Sequence, residues 1–199
     1  MIIVRSTKTE KRLEKITRVI KSRQHSLTVV MENIHDPHNV SAIFRTCDAV
    51  GIPKVNLVYN FESFPRIGKK SSASAFKWVD KEKYKTIEEC YSNLKEDGFK
   101  IFASSLTENS KNLYDLDLTQ KVAIVVGNEH RGVSETSAKL ADEVFLIPQF
   151  GMVQSLNVSV ATAVILYEAM RQRIKKGMYK KSELDEKALD KLIDSWCEK

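Results

Sequence analysis

Three short stretches of this chain concentrate residues able to do chemistry. Gly127-Asn128-Glu129-His130-Arg131-Gly132 sets a carboxylate and a guanidinium between two glycines. Such a turn lets backbone approach a ligand closely, or is a tight turn and nothing more. His35-Asp36-Pro37-His38-Asn39 is followed within about three helical turns by Arg45 and Asp48. Asn39 can donate and accept hydrogen bonds, or simply cap a helix. Arg45 can face a ligand, or pair with Asp48 three residues on. Gln154, Ser155, Asn157 and Ser159 put four uncharged polar side chains at the mouth of a nearly unbroken apolar run, Val160 to Ala169. Ser155 and Asn157 can cap that helix or point at a ligand, and the residues alone leave both readings open.

The patterns that are missing narrow the chemistry. No GxGxxG follows a strand, and there is no GxxxxGK[ST] and no GxSxG elbow, so a dinucleotide Rossmann site, a P-loop and a hydrolase nucleophile turn are not expected. His35 and His38 lack a third ligand, which makes loop hydrogen bonding the better reading than metal. Cys47, Cys90 and Cys197 are scattered with no CxxC, arguing against a disulfide framework or a zinc site and for a reducing compartment. No apolar run reaches the length of a membrane span, and the N-terminus has no signal-peptide core, so a cytoplasmic protein is expected.

Charge is distributed unevenly. Of a net charge of +6, the first 25 residues account for all, with eight Lys or Arg against Glu10 and Glu14. A second basic group runs from Arg171 to Lys181. Positive charge collected at the ends is either a solvated helix face or the footprint of a polyanion such as RNA.

The elements that must carry these residues follow from periodicity. Apolar, β-branched runs at 27–32, 54–59, 99–104, 121–126 and 143–148 read as strands. Helical patterns fill 8–22, 37–50, 86–97, 134–141, 156–174 and 183–196, with Gly51 and Gly98 as stops and Ser134 as an N-cap. Residues 60–76 read as a loop or short helix. Alternation of strand and helix predicts an α/β fold, mainly a parallel sheet flanked by helices. In such sheets ligands sit beyond the carboxyl ends of the strands, where the polar and glycine-rich turns fall. The organisation expected is a basic N-terminal extension (1–25), an α/β domain (26–174) and a C-terminal helical extension (175–199).

At this point a family resemblance enters. The segments HDPHNVSAIFRTCDAVG (35–51), VVGNEHRGVS (125–134) and IPQFGMVQSLNVSVATAVILYEA (147–169) resemble the three motifs of the SpoU family of RNA ribose 2′-O-methyltransferases. The resemblance covers nearly the whole chain. The short length and the flanking terminal helices are most similar to the subgroup that methylates guanosine 18 in the D-loop of tRNA. The resemblance implies a deep trefoil knot in the C-terminal half, S-adenosylmethionine as cofactor, tRNA as partner, and a homodimer formed through the knotted domain with its active site near the interface. It implies cofactor contacts from Ser104, Gly127, Ile147, Met152 and Leu156. Arg45, Asn39, Glu129, Ser155 and Asn157 would be catalytic. Arg45 is the residue the family assigns to activating the ribose hydroxyl. A guanidinium stays protonated, so holding an RNA phosphate and lowering the hydroxyl's pKa suits it better than acting as a literal base. Asn39 would orient Arg45 or the ribose. Glu129 would order the loops and offset the positive charge of Arg45 and the sulfonium.

For RNA the expected contacts are Lys8, Lys11, Arg12, Arg18 and Arg23 on the first helix, and Arg171 and Arg173 at the far end of the domain. Trp78 can stack on a base, though a core position is the better reading. Arg45, with Ser41 and Asp48, falls opposite the apolar stripe of helix 37–50. The segment Ser71 to Trp78 departs from the glycine-rich, histidine-containing stretch common in that subgroup. Methylation of another RNA and a non-catalytic RNA-binding protein are the other readings.

Overall fold

The computed structural model describes residues 3–65, 75–107 and 109–199. Ser71 to Ser74, the divergent part of the segment before Trp78, lie outside them.

Seven strands form one sheet: β1 (Leu27–Glu32), β2 (Lys54–Val58), β3 (Asp80–Tyr84), β4 (Lys100–Ser104), β5 (Lys111–Asn112), β6 (Val122–Val126) and β7 (Glu143–Leu146). Their spatial order is β3-β2-β1-β6-β4-β7-β5, and every pairing is parallel. All residues of β1 and β6 are buried, as expected of central strands covered on both faces, whose sequences then run continuously apolar. Each Val or Ile so buried contributes about 1.5–3 kcal/mol of transfer free energy. The chain lays down β1, β2 and β3 outward to one edge. It then skips a position, and β6 enters the gap between β1 and β4, while β7 enters between β4 and β5. The carboxyl ends of β1, β4, β6 and β7 thus converge at one place.

Helices α1 (Ile3–Ser6), α2 (Glu10–Lys21), α3 (Pro37–Val50), α4 (Ala75–Trp78), α5 (Ile87–Glu96), α6 (Glu135–Leu140), α7 (Val158–Lys175) and α8 (Glu186–Glu198) complete the described fold. Helix α3 starts with Asp36 accepting from the His38 amide at 2.7 Å and with Pro37 in the first turn, where its missing N–H costs nothing. It ends at Gly51, whose φ of 88° lies in the left-handed region. Val40, Ile43, Phe44 and Cys47 are fully buried, but so is Ser41. Only Arg45 and the half-exposed Asp48 remain on the outward side expected for all three.

The two ends of the chain meet. Ile16 and Ile20 of α2 share a small core with Ile193, Trp196 and Cys197 of α8, and Arg5 pairs with Asp190 and Asp194. Half-buried Trp78 packs against this core, its ring 4.6 Å from that of Trp196. The Glu183 carboxylate accepts from the Ser26 amide and hydroxyl, clamping the segment before α8 to the start of β1.

Two cations expected on RNA are instead structural pins. Arg23 is 1% exposed and donates to Asp48 at 2.5 Å and to the carbonyls of Ile52 and Trp78. Arg173 has no exposed surface and donates to the carbonyls of Leu118, Ser26 and Gln120, and to Gln24 and the Ser26 hydroxyl. A guanidinium's five donors suit it to gathering loop carbonyls, and a spacing pattern cannot tell such a residue from a surface cation. No helix among the described residues is long and apolar enough to cross a membrane.

Candidate functional site

The convergence of strand ends is held by side-chain amides. Asn33, just past β1, has φ of 51°, a conformation Asn tolerates better than other residues with a Cβ. Its Oδ1 accepts from the amides of Asn60, Phe61 and Glu62 at 3.1, 3.2 and 3.3 Å. Its carbonyl accepts from Asn128 Nδ2 at 2.8 Å. One residue therefore ties together the ends of β1, β2 and β6. Asn128 in turn accepts from the amides of His130 and Arg131 at 2.9 and 3.2 Å. Sequence reasoning passed over both asparagines. Their signal was an Asn directly after an apolar strand, a position where backbone N–H and C=O groups need partners.

Gly127 is required by space. A Cβ there would fall 2.1 Å from the Gly132 carbonyl oxygen, so backbone packs on backbone where any side chain would stand. Gly132 closes the turn with φ of 69° and a bridge to Asn128.

Glu129 is aimed by this turn at the start of α3. Its carboxylate accepts from the His35 and Asp36 amides, both at 3.1 Å, and from Asn39 Nδ2 at 2.9 Å. Burial alone would raise its pKa. The hydrogen bonds from Asn39, its own backbone, His35 and Asp36 outweigh that and hold it below the usual carboxylate range. Asn39 is thus not the cap of α3, a place Asp36 takes, and Glu129 is not paired with Arg131. Arg131 reaches Glu62 at 3.2 Å, and His35 approaches the same carboxylate at 3.3 Å.

Beside Glu129 a cleft of about 540 Å³ opens between the ends of β4, β6 and β7 and the start of α7. Ser104, Gly127, Glu129, Ile147, Ser155, Leu156 and Asn157 all line it. Four segments far apart in the chain, each carrying residues expected at the site, are therefore brought together. Asn157 caps α7, accepting from the Ser159 amide and hydroxyl at 2.9 and 2.6 Å, and still borders the cleft. Met152 does not. It is 99% exposed and absent from the lining, because residues 150–157 project as an exposed loop. Gln149, which sequence reasoning missed, lines the cleft with its Oε1 buried and without a hydrogen-bond partner.

That orphan acceptor tests whether a polar cofactor fits here. A buried amide oxygen left unpaired costs about 1–3 kcal/mol, which a ligand donor would recover. An adenosyl group carries such donors in its amine and hydroxyls. The mix of apolar walls, Ile147 and Leu156, with polar Ser and Asn suits a purine nucleoside. Among the described residues no cluster of metal-ligating side chains exists.

Arg45 is exposed and makes no hydrogen bond or ion pair among the described residues, since Asp48 is taken by Arg23. It does not line the cleft of its own chain. Of the remaining expected RNA contacts, Lys11 and Arg18 are exposed, Lys8 and Arg12 half-buried, and Arg171 is exposed while paired with Glu168. In the loop before α7 and along the length of that helix the chain leaves large apolar side chains uncovered: Phe150, Val153, Val160, Tyr167 and Ile174. The apolar run Val160 to Ala169 is therefore buried on one side only.

Residues 26–167 match the SpoU rRNA Methylase family. A tRNA (guanosine(18)-2′-O)-methyltransferase of Thermus thermophilus is 44% identical over 192 residues, 96% of this chain and 98% of the relative. The crystal structure of an Aquifex aeolicus TrmH/SpoU tRNA modifying enzyme is similar with a TM-score of 0.89 at 41% identity, covering 95% of this chain and 96% of that one. An AdoMet-bound rRNA methyltransferase from Sinorhizobium meliloti is similar with a TM-score of 0.61 at 25% identity, over 78% of this chain and 59% of that one.

Proposed function

This chain belongs to the SpoU methylase family, and from that premise we propose that it transfers a methyl group from S-adenosylmethionine to the ribose 2′-hydroxyl of guanosine 18 in tRNA. The observation that carries the reading is the bond from Asn39 to Glu129, 90 positions apart, at the rim of a cleft lined by Ser155 and Asn157.

When bound, S-adenosylmethionine supplies an electrophilic methyl on a sulfonium. Ser104, Gly127, Gln149, Ile147 and Leu156 are the residues placed to hold it. The chain's task is then to orient a weakly acidic hydroxyl in line with that methyl and to stabilise the charge that develops on its oxygen. Glu129, kept ionised, fixes the N-terminus of α3 and so the base of the helix that carries Arg45. Arg45, with no carboxylate of its own, is free to bind an RNA phosphate and favour loss of the hydroxyl proton. Ser155 and Asn157 line the cleft at the start of α7 and would orient the ribose.

The active form is a homodimer. The uncovered apolar side chains on α7 and the preceding loop support it, and so does Arg45, which stands outside its own chain's cleft and would be supplied to that of a second copy. The late insertion of β6 and β7 supports the knotted path expected for the C-terminal half. We take residues 26–174 as the methyltransferase unit, 1–25 and 175–199 as helical extensions, and the cytoplasm, where tRNA is matured, as the site of action.

The test is incubation with tritiated S-adenosylmethionine and unmodified tRNA, followed by mapping of the labelled nucleotide. Label at the ribose of guanosine 18 supports the proposal. Label confined to ribosomal RNA, or no label on any RNA, overturns it.

A further inference from the structure

The only two tryptophans in the chain, Trp78 and Trp196, border a second pocket that shares no lining residue with the cleft. It measures about 390 Å³, within the range that admits a small ligand, and lies between α2, α3, α4 and α8. Its walls include Arg12, Lys15, Lys77 and Asp48. The Arg12 guanidinium sits 5.3 Å and the Lys77 ammonium 5.1 Å from the centre of the Trp78 ring. Asp48 is the one side-chain carboxylate in the lining, and it is already matched by buried Arg23 at 2.5 Å; Lys77 donates to the Lys199 main-chain oxygen, and the Lys199 ammonium lies 5.9 Å from the Trp78 ring and 5.6 Å from the Trp196 ring. Arg12 and Lys15 have no ion-pair partner among the described residues. The pocket is therefore aromatic and carries positive charge that the chain does not balance.

Its chemical complement is a flat ring bearing negative charge. A nucleotide has both. Single-stranded nucleic acid is commonly held by aromatic rings that take bases and cations that take phosphates. The location fits the same ligand. Asp48 follows Arg45 by three residues on α3, so their Cβ atoms are about 5–6 Å apart, and the pocket opens beside the surface that carries Arg45. Exposed Lys11 and Arg18 extend the positive charge along α2.

We propose that this pocket seats an unpaired nucleotide of the RNA substrate, its base on Trp78 and its phosphate between Arg12 and Lys15. Arg12 exchanges the ring face it now covers for the phosphate. The proposal rests on the reading that RNA is the substrate, and adds to it a specific base-holding site contributed jointly by both ends of the chain.

Because both tryptophans lie in the pocket, the emission of the full-length chain reports on it directly. Titration with unmodified tRNA, and separately with a short single-stranded oligoribonucleotide, should quench that emission. Trp78→Leu should raise KM for tRNA roughly five- to 150-fold, the range for loss of one stacked base, while Trp78→Phe, which keeps a ring face, recovers most of it. Arg12→Gln combined with Lys15→Gln, both near the surface, should abolish the quenching. It should also lower the salt dependence of RNA binding by roughly one to two in log–log slope and leave the affinity for S-adenosylmethionine unchanged. Unaltered KM in the Arg12→Gln, Lys15→Gln variant, or RNA binding with no change of emission, overturns the proposal. A chain that quenches with the oligoribonucleotide but methylates no RNA would keep the pocket and remove the enzymatic reading instead.

Discussion

Asn39 donates to the Glu129 carboxylate at 2.9 Å, and the same carboxylate accepts the amides of His35 and Asp36. The loop after β6 thereby fixes the first turn of α3, so that Glu129 is at once a structural acceptor and a neighbour of the cleft. Glu129→Gln keeps one acceptor oxygen, which can still take the Asp36 amide and Asn39, and sets its NH2 donor against the His35 amide. It should cost about 1–3 kcal/mol of stability and lower methyl transfer by at least tenfold. Thermal melting and single-turnover kinetics measure the two effects. A variant with wild-type melting and wild-type rate would show that the contact does neither job.

The same carboxylate gives a pH dependence with a definite sign. Its folded pKa is depressed, so the unfolded chain binds the proton more readily. The stabilisation is fully present above the ordinary carboxylate pKa, and it disappears as pH falls through the lowered folded value. Melting curves of wild type and Glu129→Gln should therefore converge on acidification and separate toward neutrality. Curves that stay parallel throughout would contradict the assignment.

Gln149 separates binding from stability. Its Oε1 is buried, unpaired and in the cleft. Gln149→Leu removes an orphan acceptor and should leave the ligand-free chain as stable as wild type or more so, by up to about 1–3 kcal/mol. Affinity for S-adenosylmethionine should fall about fivefold, the value of one ordinary hydrogen bond. Calorimetry of the free chain and titration with the cofactor read the two signs independently. A fall in stability with unchanged affinity would make Gln149 a packing residue.

The buried and exposed arginines should respond in opposite ways. Arg173→Met breaks a set of bonds to three carbonyls and two side chains, leaving Gln24, Ser26 and the loop 118–120 without donors. It should cost about 3–5 kcal/mol and reduce activity through loss of folded chain. Arg18→Ala, on an exposed position, should leave melting within about 0.5 kcal/mol. It should weaken tRNA binding and reduce its salt slope by about one. Reversal of these two phenotypes would restore Arg173 to the RNA surface.

These contrasts mark what the sequence discloses. The central strands and α3 were legible because burial on both faces, or on one stripe, leaves a periodic apolar signature, and Asp36, Pro37 and Gly51 punctuate the helix. β3 was not, because Asp80-Lys81-Glu82-Lys83-Tyr84 lies at the sheet edge with mostly exposed side chains, where charge blunts pairing with other chains and erases the apolar alternation. The cleft's lining was legible at Ser104, Gly127 and Glu129, in the turns after strands, and at Ser155 to Asn157, the polar mouth of an apolar helix. Arg23 and Arg173 were misread because charge patterning records that a cation exists and not whether carbonyls surround it. Asn33 escaped notice because its role depends on three strand ends that meet only in the fold.

Arg45 makes the most demanding prediction. It is exposed and unpaired on α3 and absent from the lining of its own cleft, so its removal should not disturb folding. Arg45→Ala should melt as wild type does and bind S-adenosylmethionine with little change, yet transfer no methyl group. Arg45→Lys should not rescue it, because an ammonium lacks the planar fork that grips a phosphate. If the guanidinium acts in the cleft of a second copy, Arg45→Ala chains mixed with inactive Asn157→Ala chains form some dimers with one intact site. For subunits that exchange freely in a twofold dimer, about a quarter of the sites are then whole, and activity should return to about that fraction. No recovery on mixing, with exchange demonstrated by differently tagged chains, would place Arg45 and Asn157 in the same subunit's site and remove the need for the dimer in catalysis.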